Sequence, residues 1–212
     1  MSRHSRRALA IVAVTLAATS LVAATAPRAE AAIISGTAPA APEPTFLIEA
    51  FPNQSDDVEF FDSWSARRPG GRRHKGIDIH SPKGSPVVAV ADGFVITRKW
   101  HRDSGFYLKI AHADGWVSSY VHLNNDRPGT DDGEGGETAA FAPGIEVGTF
   151  VRAGDLIGYV GDSGNAEGTV SHTHFSLELD GTKLNPYPFL LAALPPEPAP
   201  SVVPLLPLLP SP

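Results

Sequence analysis

The sequence predicts an all-β fold, a small antiparallel sheet or barrel-like domain, and three observations carry that expectation. Twenty glycines and twenty prolines among 212 residues argue against a helical bundle. Three Asp-Gly dipeptides, Asp92-Gly93, Asp114-Gly115 and Asp180-Gly181, interrupt apolar, β-branched runs, and Asp-Gly accepts the positive φ that tight hairpin turns demand. The runs themselves, PVVAVADGFVITRKW, GFYLKIAHADGWVSSYVHL and FSLELDGTKL, read as strands, and no stretch supports a helix of more than two turns. VRAGDLIGYVGDSGN adds short strands with glycines at the bends. A hydrophobic share of 42% is enough to fill a real core.

The chain divides into four parts. Residues 1–31 have a basic start (Arg3, Arg6, Arg7), an apolar run from Ala8 to Ala24 and the small-x-small triplet Ala29-Glu30-Ala31, which together read as a secretory signal cut after Ala31. Its Ala-rich run, broken by Thr15, Thr19 and Ser20, spans a bilayer poorly, so no stable membrane insertion is expected after cleavage. Residues 32–50 read as a linker, 51–192 as the folded domain, and 193–212 as a proline-rich extended tail. The formal charge is −6, and loss of four leader arginines and Glu30 leaves about −9. Such a balance argues against nucleic acid as a partner. With no cysteine, an exported fold must hold by packing or by a bound metal. Residues 124–150 form a long Gly-rich, acidic stretch without EF-hand spacing, expected to be a flexible loop lining a groove.

Eight histidines then need explaining. Strand side chains alternate faces, so His172 and His174 of SHTHFSLEL share one face while Phe175 and Leu177 point to the core. In HKGIDIH, His74, Gly76 and Asp78 likewise share a face, with Ile77 and Ile79 inward. Gly76 places no side chain between His74 and Asp78, which leaves room for an ion. His122 ends the strand SSYVHL. Imidazole nitrogen and carboxylate oxygen both suit Zn²⁺, and two ligands from one strand with a third from another would leave a position open for water. Either histidine pattern alone is commonplace on a sheet surface. Together, in a cysteine-free exported β domain, they favour a metal site.

HKGIDIHSPKGSPVVAVADGFV, YVHL, VRAGDLIGYVGDSGN and HTHF stand in the order and spacing of the M23 zinc metallopeptidases, the LytM and lysostaphin type, and the resemblance covers roughly residues 60–190. It implies a small antiparallel β domain with its active site in a groove, acting on peptide bonds of peptidoglycan stems or cross-links. It further implies His74, Asp78 and His174 as zinc ligands, and His122 and His172 as the catalytic acid–base pair. Two positions depart from the commonest family pattern, Thr173 within the H-x-H motif and Ser176 after His-Phe. Neither is a ligand, so the implied metal site is intact, and the outer support of the rings is where they bear.

Other features stand beside that reading. His80 lies on the face of Asp78, but the family pattern does not use it; His101 and His112 read as exposed turn residues. Arg67, Arg68, Arg72, Arg73 and Lys75 precede or follow the first ligand closely, as a basic patch for carboxylates or anionic wall polymers, or simply as a solvated loop. The rival function is a non-catalytic peptidoglycan-binding protein or activator of a cell-wall amidase. Family members with that role have usually lost zinc ligands, whereas the whole set is present here. A monomer is expected.

Overall fold

Alternation of side chains along the strands separates a core face from a groove face, and the computed structural model, which describes residues 45–194, follows that division. The expected signal segment, the linker up to residue 44 and the tail from residue 195 lie outside the described residues. The strands are β1 (Ile77–His80), β2 (Pro86–Val88), β3 (Gly93–His101), β4 (Gly105–Ala111), β5 (Trp116–Leu123), β6 (Phe150–Val151), β7 (Leu156–Tyr159), β8 (His172–Leu179) and β9 (Thr182–Leu184). Two short α-helices, α1 (Gly136–Ala140) and α2 (Tyr187–Ala192), and three 3₁₀ turns complete the regular structure of the described residues. The main sheet runs β1-β8-β5-β4-β3-β6, with β9 beside β8, and β2 pairs with β7 in a separate ribbon. Every pairing is antiparallel. The expected all-β antiparallel class is what the chain adopts.

Ile77 and Ile79 of β1, Leu108 and Ile110 of β4, Tyr120 of β5 and Phe175 and Leu177 of β8 are fully buried on one face of the sheet. Val87, Val90, Ile157 and Val160, in or beside the ribbon, join them in one core. Fully burying a side chain of this size contributes about 1.5–3 kcal/mol. The opposite parity carries Asp78, His80, Tyr107, Lys109, Ser119, Val121, His172, His174 and Ser176, which line a groove.

Two of the three Asp-Gly pairs make the expected hairpins. Asp114-Gly115 and Asp180-Gly181 all have positive φ, joining β4 to β5 and β8 to β9. Asp92-Gly93 does not. It leads from β2 into β3, which are not paired, and a Cβ on Gly93 would sit 2.4 Å from the Ala111 carbonyl oxygen and 2.6 Å from Ile110. Glycine is needed there for close approach, and the β3–β4 turn falls instead at residues 102–104.

Two further expectations are corrected by packing. The end of the expected linker belongs to the core: Ile48 is buried, and Phe46 stacks on Trp116 with ring centres 5.0 Å apart. The 124–150 segment contributes no residue to the groove lining. The Lys83 ammonium lies 2.7 Å from the buried Asp126 and 2.8 Å from the buried Asp162, and also bonds Asp131. Arg98 holds Glu137 at 2.8 Å. These pairs draw the acidic segment onto the body of the domain, where a buried carboxylate needs its partner.

The Tyr120 hydroxyl, fully buried, accepts the Val90 N–H at 2.9 Å and lies 3.2 Å from Ser118 Oγ. Tyr120→Phe is expected to destabilise the domain by about 1–2 kcal/mol by stranding that N–H. A denaturation midpoint equal to wild type would show that the amide finds another partner.

Candidate active site

Three strands deliver the histidines to one place. β8 lies between β1 and β5, with Asp78 opposite His174 and His80 opposite His172 on one side, and Val121 opposite His174 on the other. His74, just before β1, has its Nε2 3.0 Å from Asp78 Oδ1 and 2.9 Å from His174 Nδ1. His174 Nδ1 is 2.9 Å from the same Asp78 oxygen. Three of the expected residues therefore converge through one atom each, the cluster of ligand-type atoms that could hold a metal ion. The other Asp78 oxygen accepts the Arg68 guanidinium.

Gly76 makes room, but for a ring rather than for an ion. A Cβ there would lie 2.6 Å from the His174 imidazole and 2.5 Å from the Phe175 carbonyl oxygen. No side chain larger than hydrogen fits while His174 holds its place.

His122 reaches the groove by a different device. On β5, Ser118 and Tyr120 are fully buried, so simple alternation would aim His122 at the core. Between Phe106↔Leu123 and Leu108↔Tyr120 the register shifts, with three steps on β5 facing two on β4. His122 sits in that bulge at φ 64, a left-handed conformation uncommon for non-glycine residues, and its side chain turns to the groove. Sequence parity alone did not reveal this bulge. The His122 ring lies 5.2 Å from His172 and 6.2 Å from His174, centre to centre.

Backbone carbonyls orient the rings. His74 Nδ1 donates to the Ser63 carbonyl at 3.0 Å, His122 Nδ1 to that of Ser163 at 2.8 Å, and His172 Nδ1 to that of Val170 at 2.7 Å. With Nδ1 as the donor, a neutral ring held this way presents the lone pair of its Nε2. Ser163, which the sequence did not single out, is fully buried: its Oγ accepts the Phe106 N–H at 3.0 Å and donates to the Leu123 carbonyl. It thereby ties the His122 bulge to β4.

Electrostatics keep the cluster ready for a cation. Burial pushes Asp78 up, but the His174 and His74 rings against its Oδ1 outweigh it and hold the carboxyl well below the usual carboxylate range. Burial lowers His174 despite its bond to Asp78. Burial also pushes His122 down to about 4, against the pull of the Ser163 carbonyl. His122 is therefore neutral at pH 7, with Nε2 able to accept a proton.

The groove occupies about 1350 Å³ and is lined by seven lysines and arginines against two aspartates. All five residues of the expected basic patch are among them. His80 and His101 line it as well, the His80 ring 5.4 Å from His172, but neither joins the ligand cluster. His112 is half-buried rather than exposed, bonded at 2.8 Å to both the Asp92 carbonyl and Ser118 Oγ. A second acidic group, Asp126, Asp131 and Glu167, has spacing for a cation, but the Lys83 ammonium already bonds two of its members.

Two nitrogens and one oxygen within 3.0 Å of one another, beside two imidazoles with free lone pairs, suit a zinc ion with an open position and metal-assisted hydrolysis. Several known proteins resemble this chain in sequence and fold. Residues 72–134 match the description "Peptidase family M23". The L-Ala–D-Glu endopeptidase of Bacillus subtilis is 32% identical over 147 residues, 64% of this chain and 40% of that protein. The murein hydrolase activator EnvC of Escherichia coli is 33% identical over 121 residues, 57% of this chain and 24% of that protein. Among solved structures, the catalytic domain of lysostaphin from Staphylococcus simulans superposes with a TM-score of 0.51 at 25% identity, covering 63% of this chain and 92% of that one. The chain thus spans less than half the length of these two curated relatives. It carries the M23 peptidase fold and resembles that family in sequence as well.

Two outcomes are expected. Gly76→Ala should displace the His174 ring and press on the Phe175 carbonyl of β8, weakening zinc binding by about tenfold or more in a chelator competition and lowering the denaturation midpoint as well; undiminished affinity in folded protein would show that the ring can move without losing the ion. In metal-free protein, His122 has a folded pKa of about 4, below its ordinary 6.5. The unfolded chain takes up the proton first as pH falls, so stability declines from pH 6.5 towards 4, by about 1–3 kcal/mol from this residue. His122→Gln should flatten that slope, and parallel profiles for the two proteins would contradict it.

Proposed function

We propose that this chain is an exported, zinc-dependent endopeptidase that hydrolyses peptide bonds in peptidoglycan stem peptides or cross-links. The carrying observation is the convergence of His74 Nε2, Asp78 Oδ1 and His174 Nδ1 within 3.0 Å beside His122 and His172. In this reading the first three residues hold zinc and the other two move protons. Residues 1–31 serve as the secretory signal, and the domain works as a monomer in the cell envelope or outside it.

A zinc ion supplies Lewis acidity, polarising a carbonyl oxygen and acidifying water. The remaining work belongs to the chain. His74 and His174 offer lone pairs, the first because its Nδ1 proton is committed to Ser63. Neutral His122 can accept a proton at Nε2, and His172, its Nδ1 bonded to the Val170 carbonyl, also presents Nε2. One imidazole removes a proton from the attacking water, and the other, once protonated, can donate to the departing amine. The groove floor holds an extended peptide along the strands.

The likeness to a murein hydrolase activator supports a second reading, a protein that binds peptidoglycan or an amidase without cutting. The complete donor set favours hydrolysis over it, since a pure binder needs no convergent ligand atoms.

Purified peptidoglycan incubated with the zinc-loaded chain should release new amino groups, and the new N-terminal residue names the bond. His122→Ala and His172→Ala should each lower the rate by about 10²–10⁴. Chelation should abolish release and zinc restore it. No release by zinc-loaded wild type, alongside retained binding to the polymer, would replace the enzyme with the activator reading.

A further inference from the structure

One row of the groove floor lies beyond the ligand cluster and has a chemistry of its own. Lys109 of β4, Ser119 of β5 and Ser176 of β8 stand side by side in register. Ser176 is two residues from His174, so the row lies about 7 Å along the strands from the cluster. Lys183 of β9 reaches over it and donates to Ser176 Oγ at 2.7 Å, and Lys75 lines the same groove.

Two features of this row are unresolved within the protein. Ser119 is only 2% exposed and faces the groove, yet among the described residues its hydroxyl has no hydrogen-bond partner. Buried hydroxyls are normally paired, because an unmade bond costs stability. The lysines are also short of counter-ions. Lys183 has Glu178 at 3.5 Å, one row further on, whereas among the described residues neither Lys75 nor Lys109 has a carboxylate within 4.0 Å. Burial, then the nearby Lys109 and Lys75, push Lys183 below the ordinary lysine value despite Glu178. Lysines lining the groove beside a hydroxyl that has no partner among the described residues offer the charge and the donor that an anion needs.

We propose that Lys109, Ser119, Ser176 and Lys183 form a subsite for a free carboxylate of the peptide bound in the groove. The proposal rests on the peptidase reading for the identity of that peptide. A carboxylate can accept from Ser119 Oγ with one oxygen and from lysine with the other. Ser176, whose oxygen already accepts from Lys183, has its own proton to give. Position favours a peptide over a phosphate-bearing wall polymer. The row lies one step from the ligand cluster on the floor of the groove, while a polymer passing outside would meet the exposed Arg67, Arg72 and Arg73 first. The subsite thus selects stem peptides with an unmodified carboxyl near the scissile bond, and an oligoglycine bridge has no side-chain group for it.

The test measures affinity apart from turnover. The zinc-loaded full chain carrying His172→Ala is titrated calorimetrically with stem peptides released from peptidoglycan, in free-acid form and after amidation of their carboxyls. The free acid should bind about tenfold more tightly, as for a charge-assisted bond. That preference should fall below about twofold in Lys109→Met and Lys183→Met, and shrink in Ser119→Ala, with thermal melts confirming that each variant is folded. Equal binding of the two forms, binding of neither, or a preference that survives both lysine substitutions would overturn the subsite. So would a glycerol phosphate oligomer that binds more tightly than the free acid and loses affinity in the same variants. Cleavage by wild type is scored separately: carboxylate preference without cleavage keeps the subsite and discards the peptidase, and cleavage without preference does the reverse.

Discussion

The seating of β8 between β1 and β5 is the constraint on which the groove depends. It places Asp78 and Val121 on either side of His174, and His80 beside His172. What enforces that register is the other face of the same strand, where Phe175 and Leu177 are fully buried and Phe175 meets Tyr120 at 5.5 Å between ring centres. A slip of one residue would bury the imidazoles and expose the aromatic and aliphatic groups. Core burial and metal-site geometry are therefore one property of β8, read on alternate residues.

Strand register sets where each imidazole stands, and backbone carbonyls set which nitrogen faces the groove. The three carbonyls that do this, from Ser63, Ser163 and Val170, come from segments outside the strands carrying the rings. Hydrogen bonds of this kind fix both tautomer and ring orientation. Ser163 does so twice over, since its side chain also joins β4 to the end of β5. The GDSGN segment thus holds the His122 bulge, and its glycine has a matching reason: a Cβ on Gly164 would lie 2.2 Å from the Gly105 nitrogen.

What could be read from the sequence follows a physical boundary. Parity in β1 and β8 is local, so the shared face of His172 and His174, and the inward aim of Ile77, Ile79, Phe175 and Leu177, were legible from the residues. The hairpins at Asp114-Gly115 and Asp180-Gly181 were legible for the same reason. Features that depend on a distant neighbour were not. The bulge at His122 is defined against β4, and the glycine at 93 answers to Ala111. The acidic 124–150 segment was expected over the groove because its composition signals mobility, but composition says nothing of Lys83, 43 residues from Asp126 in sequence, which binds it elsewhere. The role of Gly76 was half visible: the need for space was correct, and its occupant was the imidazole of a residue almost a hundred positions away.

Net charge illustrates the same boundary for function. An overall balance of −6 argues against polyanionic partners only if the charges act together. Screening limits exposed charges to about 8 Å at physiological salt, so each surface region is judged by its own ions. The acids of the 124–150 segment are largely answered where they stand: Asp126 and Asp131 by Lys83, Asp132 by Arg127 at 2.6 Å and Glu137 by Arg98. They subtract little from the field of the groove. There, Arg68 is committed to Asp78, while Lys75 and Lys109 are left without a partner among the described residues. The bulk charge describes how the protein meets solvent. What the groove attracts is decided by the few cations for which the fold supplies no counter-ion.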